Sequence, residues 1–529
     1  MLLLQDMSYM QPNGELLFSD IHFTLHKNDK IAITGHNGSG KSVLLKLMAG
    51  DLPCTTGYYS AVHKPYYVPQ LFDDYNELTL AQALQIDLKI KALEEISKGN
   101  ASVEHFETLQ EDWTLEERCK QAFAYWKLQD LSLHQKIKDL SGGQKTRVFL
   151  AGIRIHQAKI VLLDEPSNHL DRAGRALLCA ELLSAKCSMV VVSHDRVLLD
   201  LLEPVYELSK KGLKLYGGNY SFYTAQKKVE SDALQRDLQS REKAFRHAKE
   251  TERTAMERQQ KQNARGKKKQ EKAGLPTIVL NGLRNKAEQS TSRLKGVQAE
   301  KVNTIASEMR QLRSAMPDQD KMKMNFDHSA LHQGKALITA KKVNFTYQAQ
   351  LLWKQDLNFQ IRSGERLVIE GLNGSGKTTL VRIILAQLQP SKGAIERQDF
   401  SSVYIDQDYT LIDPKLNVYD LVREFNSSGL QEHELKIRLN RFLFSKNDWD
   451  KSCALLSGGE KMRLILCALT IARQAPDMIV LDEPTNNLDI QSIEILTRAI
   501  QDYQGTLLLI SHDEYFLKEI NAVRLMDLS

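Results

Sequence analysis

The chain has 529 residues, 42% hydrophobic and 26% charged, with a formal net charge of +5. That composition is ordinary for a soluble globular protein, and the length predicts two domains plus a connecting piece, each able to bury its own core. No apolar run approaches the roughly 18 residues that span a bilayer, and the opening MLLLQD is too short for a secretory h-region and meets Asp6 at once. A cytoplasmic protein is therefore expected. Cys54, Cys119, Cys179, Cys187, Cys453 and Cys467 form no CxxC pair, which predicts reduced core thiols and no metal held by them.

In chain order, KIAITG (30–35) is a short apolar run that ends in glycine before a helical pattern, the signature of a buried strand feeding a loop. The loop reads GHNGSGKS, from Gly35 to Ser42. It fits G-x-x-x-x-G-K-[ST], in which glycines let backbone N–H groups close around phosphates. Gly35, Asn37, Gly38, Ser39, Gly40, Lys41 and Ser42 are the candidate nucleotide contacts, with Lys41 reaching the β- and γ-phosphates and Ser42 ligating Mg²⁺. Gln70 follows as a reporter of Mg²⁺ and water occupancy. LSGGQ starts at Leu140, and its Ser141, Gly142 and Gly143 place exposed N–H groups at a helix start, which favours anions. Ile160–Leu163 reads as a buried parallel strand ending in Asp164, a Mg²⁺ ligand directly or through water, and Glu165, a general base. Met189–Val192 leads to Ser-His-Asp, where His194 is placed to contact the γ-phosphate.

The same series then recurs. RLVIEG (366–371) feeds GLNGSGKT, with Gly371, Asn373, Gly374, Ser375, Gly376, Lys377 and Thr378 in the corresponding roles. Gln407, then Ser457, Gly458 and Gly459 of LSGGE, then Asp482, Glu483 and His512 complete the second set. Tyr9 and Tyr347, each about thirty residues before its lysine, are candidates to stack on adenine or to pack in the core. The lysines lie 336 residues apart and the glutamines 337, but the LSGG leucines only 316 and the Asp-Glu glutamates 318. The first half thus carries about twenty extra residues, placed by their composition near 90–113, as a partner-contacting arm or an elongated loop. Alternating strands and helices predict an α/β fold with a mainly parallel sheet, twice over.

A phosphate loop, LSGG and strand-Asp-Glu in that order resemble the ATP-binding cassette superfamily over about residues 1–224 and 338–529. The resemblance implies that the halves close head to tail around two ATP molecules, within one monomeric chain. Leu456–Glu460 would complete the site of Lys41, and Leu140–Gln144 that of Lys377. Three features resemble the soluble ABC-F family in particular. PSNHLD (Pro166–Asp171) and PTNNLD (Pro484–Asp489) are close to that family's PTNHLD, with Ser167 and Asn487 as conservative departures. YGGNYSFY (Tyr216–Tyr223) is similar to its lead into the linker, and a long charged segment joins the cassettes.

That segment, residues 225–337, is expected to form an antiparallel helical hairpin with its tip near 265–283. Residues 231–320 hold twenty Lys/Arg and twelve Asp/Glu, and no aromatic residue occurs between Arg246 and Asn325. Arg258–Lys272 carries seven basic residues and one acid, just before GLPTIVLNG (Gly274–Gly282). Such a run is a solvated spacer or a contact for a phosphate-rich partner, through backbone rather than stacking. The family resemblance implies the latter: a linker in the ribosomal exit site, basic residues on rRNA or tRNA, and Leu275–Leu280 nearest the transfer RNA end or the peptidyl-transferase centre. The implied function is an ATPase that hydrolyses ATP to ADP and phosphate, in translation regulation or ribosome protection, with no DNA partner. A soluble tandem ATPase subunit of a membrane transporter and an ATP-gated RNA- or protein-binding scaffold are the alternatives.

Overall fold

The computed structural model describes the chain except residues 13, 101, 210–211, 273–291, 294–295, 298, 314–333, 348–349, 373, 473, 487 and 529. Packing divides it into one unit of Met1–Ser221 with Lys321–Ser529 and a second of Phe222–Asp320.

The first unit holds two tandem cassettes of one α/β design. In the first, a six-stranded sheet runs in the order Tyr66–Val68, Ile160–Asp164, Ser188–Val192, Lys30–Thr34, Val205–Ser209, Gly212–Tyr216. The first five strands are parallel, and the last turns back as a hairpin. Both faces of these strands are covered, so Ile160–Asp164 and Ser188–Val192 are buried at every position. That is why they read as unbroken apolar runs and not as alternating ones. A smaller antiparallel sheet, Leu16–Leu25, Leu2–Met10 and Thr56–Ala61, packs with the helix Lys41–Ala49 in one core of Leu, Ile, Phe and Met side chains.

The second cassette repeats this with a five-stranded parallel sheet, Ser402–Ile405, Met478–Asp482, Thr506–Ile510, Arg366–Glu370, Val523–Asp527. Its antiparallel sheet comprises Leu357–Arg362, Ala336–Asn344 and Lys392–Arg397. In both parallel sheets the strand that ends in Asp-Glu lies beside the strand that ends before Ser-His-Asp. The extra residues of the first cassette include two short helices, Asp87–Ser97 and Val103–Leu109. Ser102 caps the second of these, accepting from the His105 N–H.

The second unit continues a 53-residue helix, Tyr220–Lys272, which at 1.5 Å per residue is about 80 Å long. A second helical stretch, 299–313, lies alongside it through the ion pairs Arg241–Glu308 at 3.1 Å and Arg313–Glu242 at 2.8 Å. Ala248 and Met309 are buried there, and most other side chains are exposed. The expected tip from 273 onward, with Leu275–Leu280, lies outside the described residues.

Candidate functional site

Each phosphate loop leaves a sheet strand and ends at a helix N-terminus. The residue just before that helix is in the left-handed region, Gly40 at φ 94° and Gly376 at φ 91°. A Cβ on Gly40 would also sit 2.5 Å from Leu17, and one on Gly376 2.6 Å from Leu352, so glycine is required twice over. Lys41 is buried, and its Nζ donates to the carbonyls of Gly35 at 2.7 Å and His36 at 3.0 Å. Lys377 does the same to Gly371 at 2.7 Å and Leu372 at 3.1 Å. The lysine is thereby folded back over its own loop, its charge held above the phosphate-binding N–H groups.

The Asp-Glu pairs close buried strands. Glu165 and Glu483 each sit at φ 49°, a conformation that costs a non-glycine residue energy and recurs at functional positions. The bend lets each backbone N–H donate to the neighbouring strand, Glu165 to Val192 and Glu483 to Ile510, both at 2.8 Å. It also turns each carboxylate to the following histidine: Glu165–His194 and Glu483–His512 each lie at 3.3 Å. Burial pushes Glu165 up to about 8 against the attraction of Lys41, and Glu483 up to about 7 against that of Arg175 and Lys377. Burial and Lys41 hold His194 down at about 3, and burial with Lys377 and Arg175 holds His512 at about 4. Both imidazoles are therefore neutral near pH 7, beside carboxyl groups poised to exchange a proton.

A 570 Å³ cavity joins the first set to the second cassette. It is lined by Asn37, Gly38, Gly40, Lys41, Ser42, Gln70, Asp164, Glu165 and His194, and from across the cassette boundary by Ser457 and Gly458. Ser457 caps the helix Gly458–Ile471 in a reciprocal capping box with Glu460, and Ser141 does so with Gln144 for Gly142–Ile155. Gly459 fits closely: a Cβ there would meet Ser492 Oγ at 2.6 Å. Gly143 is buried within the first turn of its helix. Tyr9 packs against Phe18 with ring centroids 6.3 Å apart, and Gln11 and Leu17 line the cavity instead. Tyr347 is 51% exposed, with its hydroxyl 3.3 Å from Thr379 Oγ1. Gln407 follows the strand Ser402–Ile405, as Gln70 follows Tyr66–Val68, and Gly374 leaves open space around its Cα. Asn373 lies outside the described residues.

The cassette boundary brings together groups that sequence reasoning did not link. The Asn37 N–H donates to Asp489 Oδ2 at 2.9 Å, linking the first phosphate loop to the residue that closes PTNNLD. Arg175 lines the cavity and acts on Glu483 and His512, together with Arg172 on the latter. The position that corresponds to Arg175 in the second half, 318 residues on, is Ile493. The same ruler that aligned the glutamates exposes this difference, so the signal was present.

The oxygens present suit Mg²⁺. Thr378 Oγ1 donates to Asp482 Oδ2 at 3.2 Å, and the Ser42 hydroxyl lies near Asp164 in the first site, so each carboxylate lies beside a hydroxyl at the mouth of a phosphate loop. Asp164 Oδ1 and Ser39 Oγ are buried without a hydrogen-bond partner in the first site, and Ser375 Oγ in the second. Among the described residues no cluster of three His, Cys, Asp or Glu forms a self-sufficient metal cage. Mg²⁺ needs none, since it binds through one or two protein oxygens together with nucleotide phosphates and water.

A strand–loop–helix nest for phosphates, an Asp-Glu strand end and a Ser-Gly-Gly helix start from the other half define a tandem ATP-binding cassette protein. The ABC transporter family profile matches twice, at residues 18–168 and 354–486. The chain is 30% identical to the putative ATP-binding protein YdiF of Bacillus subtilis over 98% of its own length and 78% of that protein. It is 29% identical to the energy-dependent translational throttle protein EttA of Mycobacterium tuberculosis, over 95% of this chain and 87% of that one. With the ribosome protection protein VmlR of Bacillus subtilis the identity is 28%, over 99% and 86%. This chain belongs to the ABC-F family of tandem ATP-binding cassette proteins. Its fold is shared with the archaeal ribosome recycling factor aABCE1, solved with the stalk protein aP1, at TM-score 0.60 and 20% identity over 97% of this chain and 86% of that one. No helix among the described residues is long and apolar enough to cross a membrane.

Proposed function

We propose that the protein is an ATPase that binds the ribosome while both sites hold ATP, and is released when ATP is hydrolysed to ADP and phosphate. The observation that carries this reading is the cavity in which Lys41, Glu165 and His194 face Ser457 and Gly458 of the other cassette. Neither half supplies all of these groups, so nucleotide occupancy and cassette closure are one equilibrium.

In each site the lysine, Lys41 or Lys377, neutralises the terminal phosphates, while the loop N–H groups hold their oxygens. Ser42, Asp164 and Gln70, or Thr378, Asp482 and Gln407, would hold Mg²⁺, which supplies charge neutralisation at the β- and γ-phosphates when bound. Glu165 and Glu483, in their carboxylate forms, take a proton from the attacking water. The neutral His194 and His512 orient that water and donate toward the γ-phosphate. Domain limits of 1–224, 225–337 and 338–529 place the charged hairpin between the cassettes. Its basic Arg258–Lys272 run suits rRNA or tRNA backbone, with the tip directed to the peptidyl-transferase region. The names of EttA and VmlR, a translational throttle and a ribosome protection protein, support translation as the setting. Preferential binding of the ribosome to the closed form provides the coupling.

The test is translation in a cell extract to which the Glu165→Gln/Glu483→Gln variant is added. Persistent inhibition, with release from ribosomes slowed at least tenfold relative to wild type, is expected. Release at the wild-type rate would reject hydrolysis as the exit step.

A further inference from the structure

The strand that precedes each glutamine carries a half-buried tyrosine, three residues before it, that neither the phosphate-loop motif nor the Asp-Glu motif includes. Tyr67 pairs with Leu162 on the neighbouring parallel strand, and its hydroxyl donates to Asp164 Oδ2 at 3.1 Å. Tyr404 pairs with Val480, and its hydroxyl donates to Asp482 Oδ2 at 3.0 Å. Leu162 and Val480 are each two residues before their aspartate, so both cassettes use the same register and the same oxygen. Two halves that have diverged to Arg175 and Ile493 within the same assembly keep this contact within 0.1 Å.

A carboxylate at a strand end can rotate about its Cα–Cβ and Cβ–Cγ bonds. A phenol bonded to Oδ2 removes that freedom and directs the other oxygen elsewhere. In the first site the other oxygen, Asp164 Oδ1, is buried and lacks a partner.

We propose that Tyr67 and Tyr404 are positioning residues of the two nucleotide sites, each fixing its aspartate so that the free carboxylate oxygen is presented to the divalent cation. This rests on the reading that Asp164 and Asp482 hold Mg²⁺. The adjacent Tyr66 supplies a control, because its hydroxyl donates to the Phe149 carbonyl at 2.8 Å and not to the aspartate.

The experiment is ATP binding by the full chain in the Glu165→Gln/Glu483→Gln background, titrated with MgCl₂, so that turnover plays no part. Tyr67→Phe and Tyr404→Phe keep the ring and its packing and remove only the donor. Each is expected to raise the Mg²⁺ concentration at half-saturation of its own site about tenfold, the scale at which partners of metal ligands act. Tyr66→Phe should leave that concentration unchanged, and circular dichroism should report a folded chain in every case. Unchanged Mg²⁺ dependence in Tyr67→Phe and Tyr404→Phe, with a Mg²⁺-dependent parent, would overturn the positioning role alone. An equal shift in Tyr66→Phe would overturn it too, by showing a general packing effect. ATP binding by the parent that ignores Mg²⁺ would remove the underlying reading as well.

Discussion

Asp489→Asn is the substitution that most cleanly separates cassette closure from cassette stability. The side chain of Asp489 is almost fully buried and does two things at once. Its Oδ1 accepts from the Ser492 N–H at 2.8 Å and caps the helix Ile490–Asp502, while Oδ2 accepts from the Asn37 N–H of the other cassette at 2.9 Å. Burial works against its charge, but the bonds from Ser492 and Asn37 prevail and hold the carboxyl below its ordinary value. Asparagine is as good a helix cap as aspartate, so the helix should keep its stability. With the one amide oxygen kept on the Ser492 N–H, Nδ2 faces the Asn37 N–H donor against donor, so the contact across the boundary is lost outright, at a cost of about 1–3 kcal/mol, or roughly fivefold or more in an equilibrium constant. Lys41 also loses an attractive charge from across the boundary. An ATP-binding isotherm of the hydrolysis-deficient chain should therefore split, one site weakening roughly fivefold or more and the other holding, with the thermal midpoint unchanged. A lowered midpoint with an unsplit isotherm would show that Asp489 serves only its own helix, and the linkage of closure to the first site would be wrong.

Three further outcomes follow from individual contacts. Arg196 and Glu519 pair across the cassettes at 2.8 Å, with Glu519 41% exposed, so a double-mutant cycle with alanine should give a coupling of only about 0.5–1 kcal/mol that shrinks with added salt. Gly152→Ala would place a Cβ 1.9 Å from the buried Tyr66 hydroxyl; a loss of about 2–3 kcal/mol in denaturant titration is expected from overpacking, and Tyr66→Phe should restore part of it. Burial lowers the pKa of His156 below its ordinary value, although its Nε2–H donates to the Leu84 carbonyl at 2.7 Å. The unfolded chain then binds the extra proton more readily, so this contribution is complete above about pH 6.5 and is lost as pH falls below it. Thermal midpoints at pH 7.5 and 5.5 should accordingly differ more for wild type than for His156→Gln.

The fold was legible wherever a motif is contiguous in sequence. Apolar runs such as Ile160–Leu163 announce a strand buried on both faces, and Gly40 before Lys41 announces a helix start that needs positive φ. The repeat offset bounded about twenty surplus residues between Gln70 and LSGGQ, an interval that in the first cassette holds the helices Asp87–Ser97 and Val103–Leu109. What sequence could not give is what arises between distant segments. Asn37 and Asp489 are separated by 452 residues, and nothing local in either links them. The left-handed glutamates, which depend on the strands of Val192 and Ile510, and the tyrosine–aspartate bonds likewise exist only once neighbouring strands set the register. Local chemistry named the groups of the site, and parallel strand pairing and cassette apposition determine which of them meet.

The most direct measurement is ribosome co-sedimentation of Glu165→Gln/Glu483→Gln with ATP and without nucleotide, at low and moderate salt. Pelleting that requires ATP and survives moderate salt is expected, because a closed cassette pair presents specific contacts beyond the basic charge of Arg258–Lys272. Pelleting that ignores nucleotide and vanishes with salt would reduce the interaction to nonspecific attraction, and no pelleting in any condition would contradict a ribosomal role.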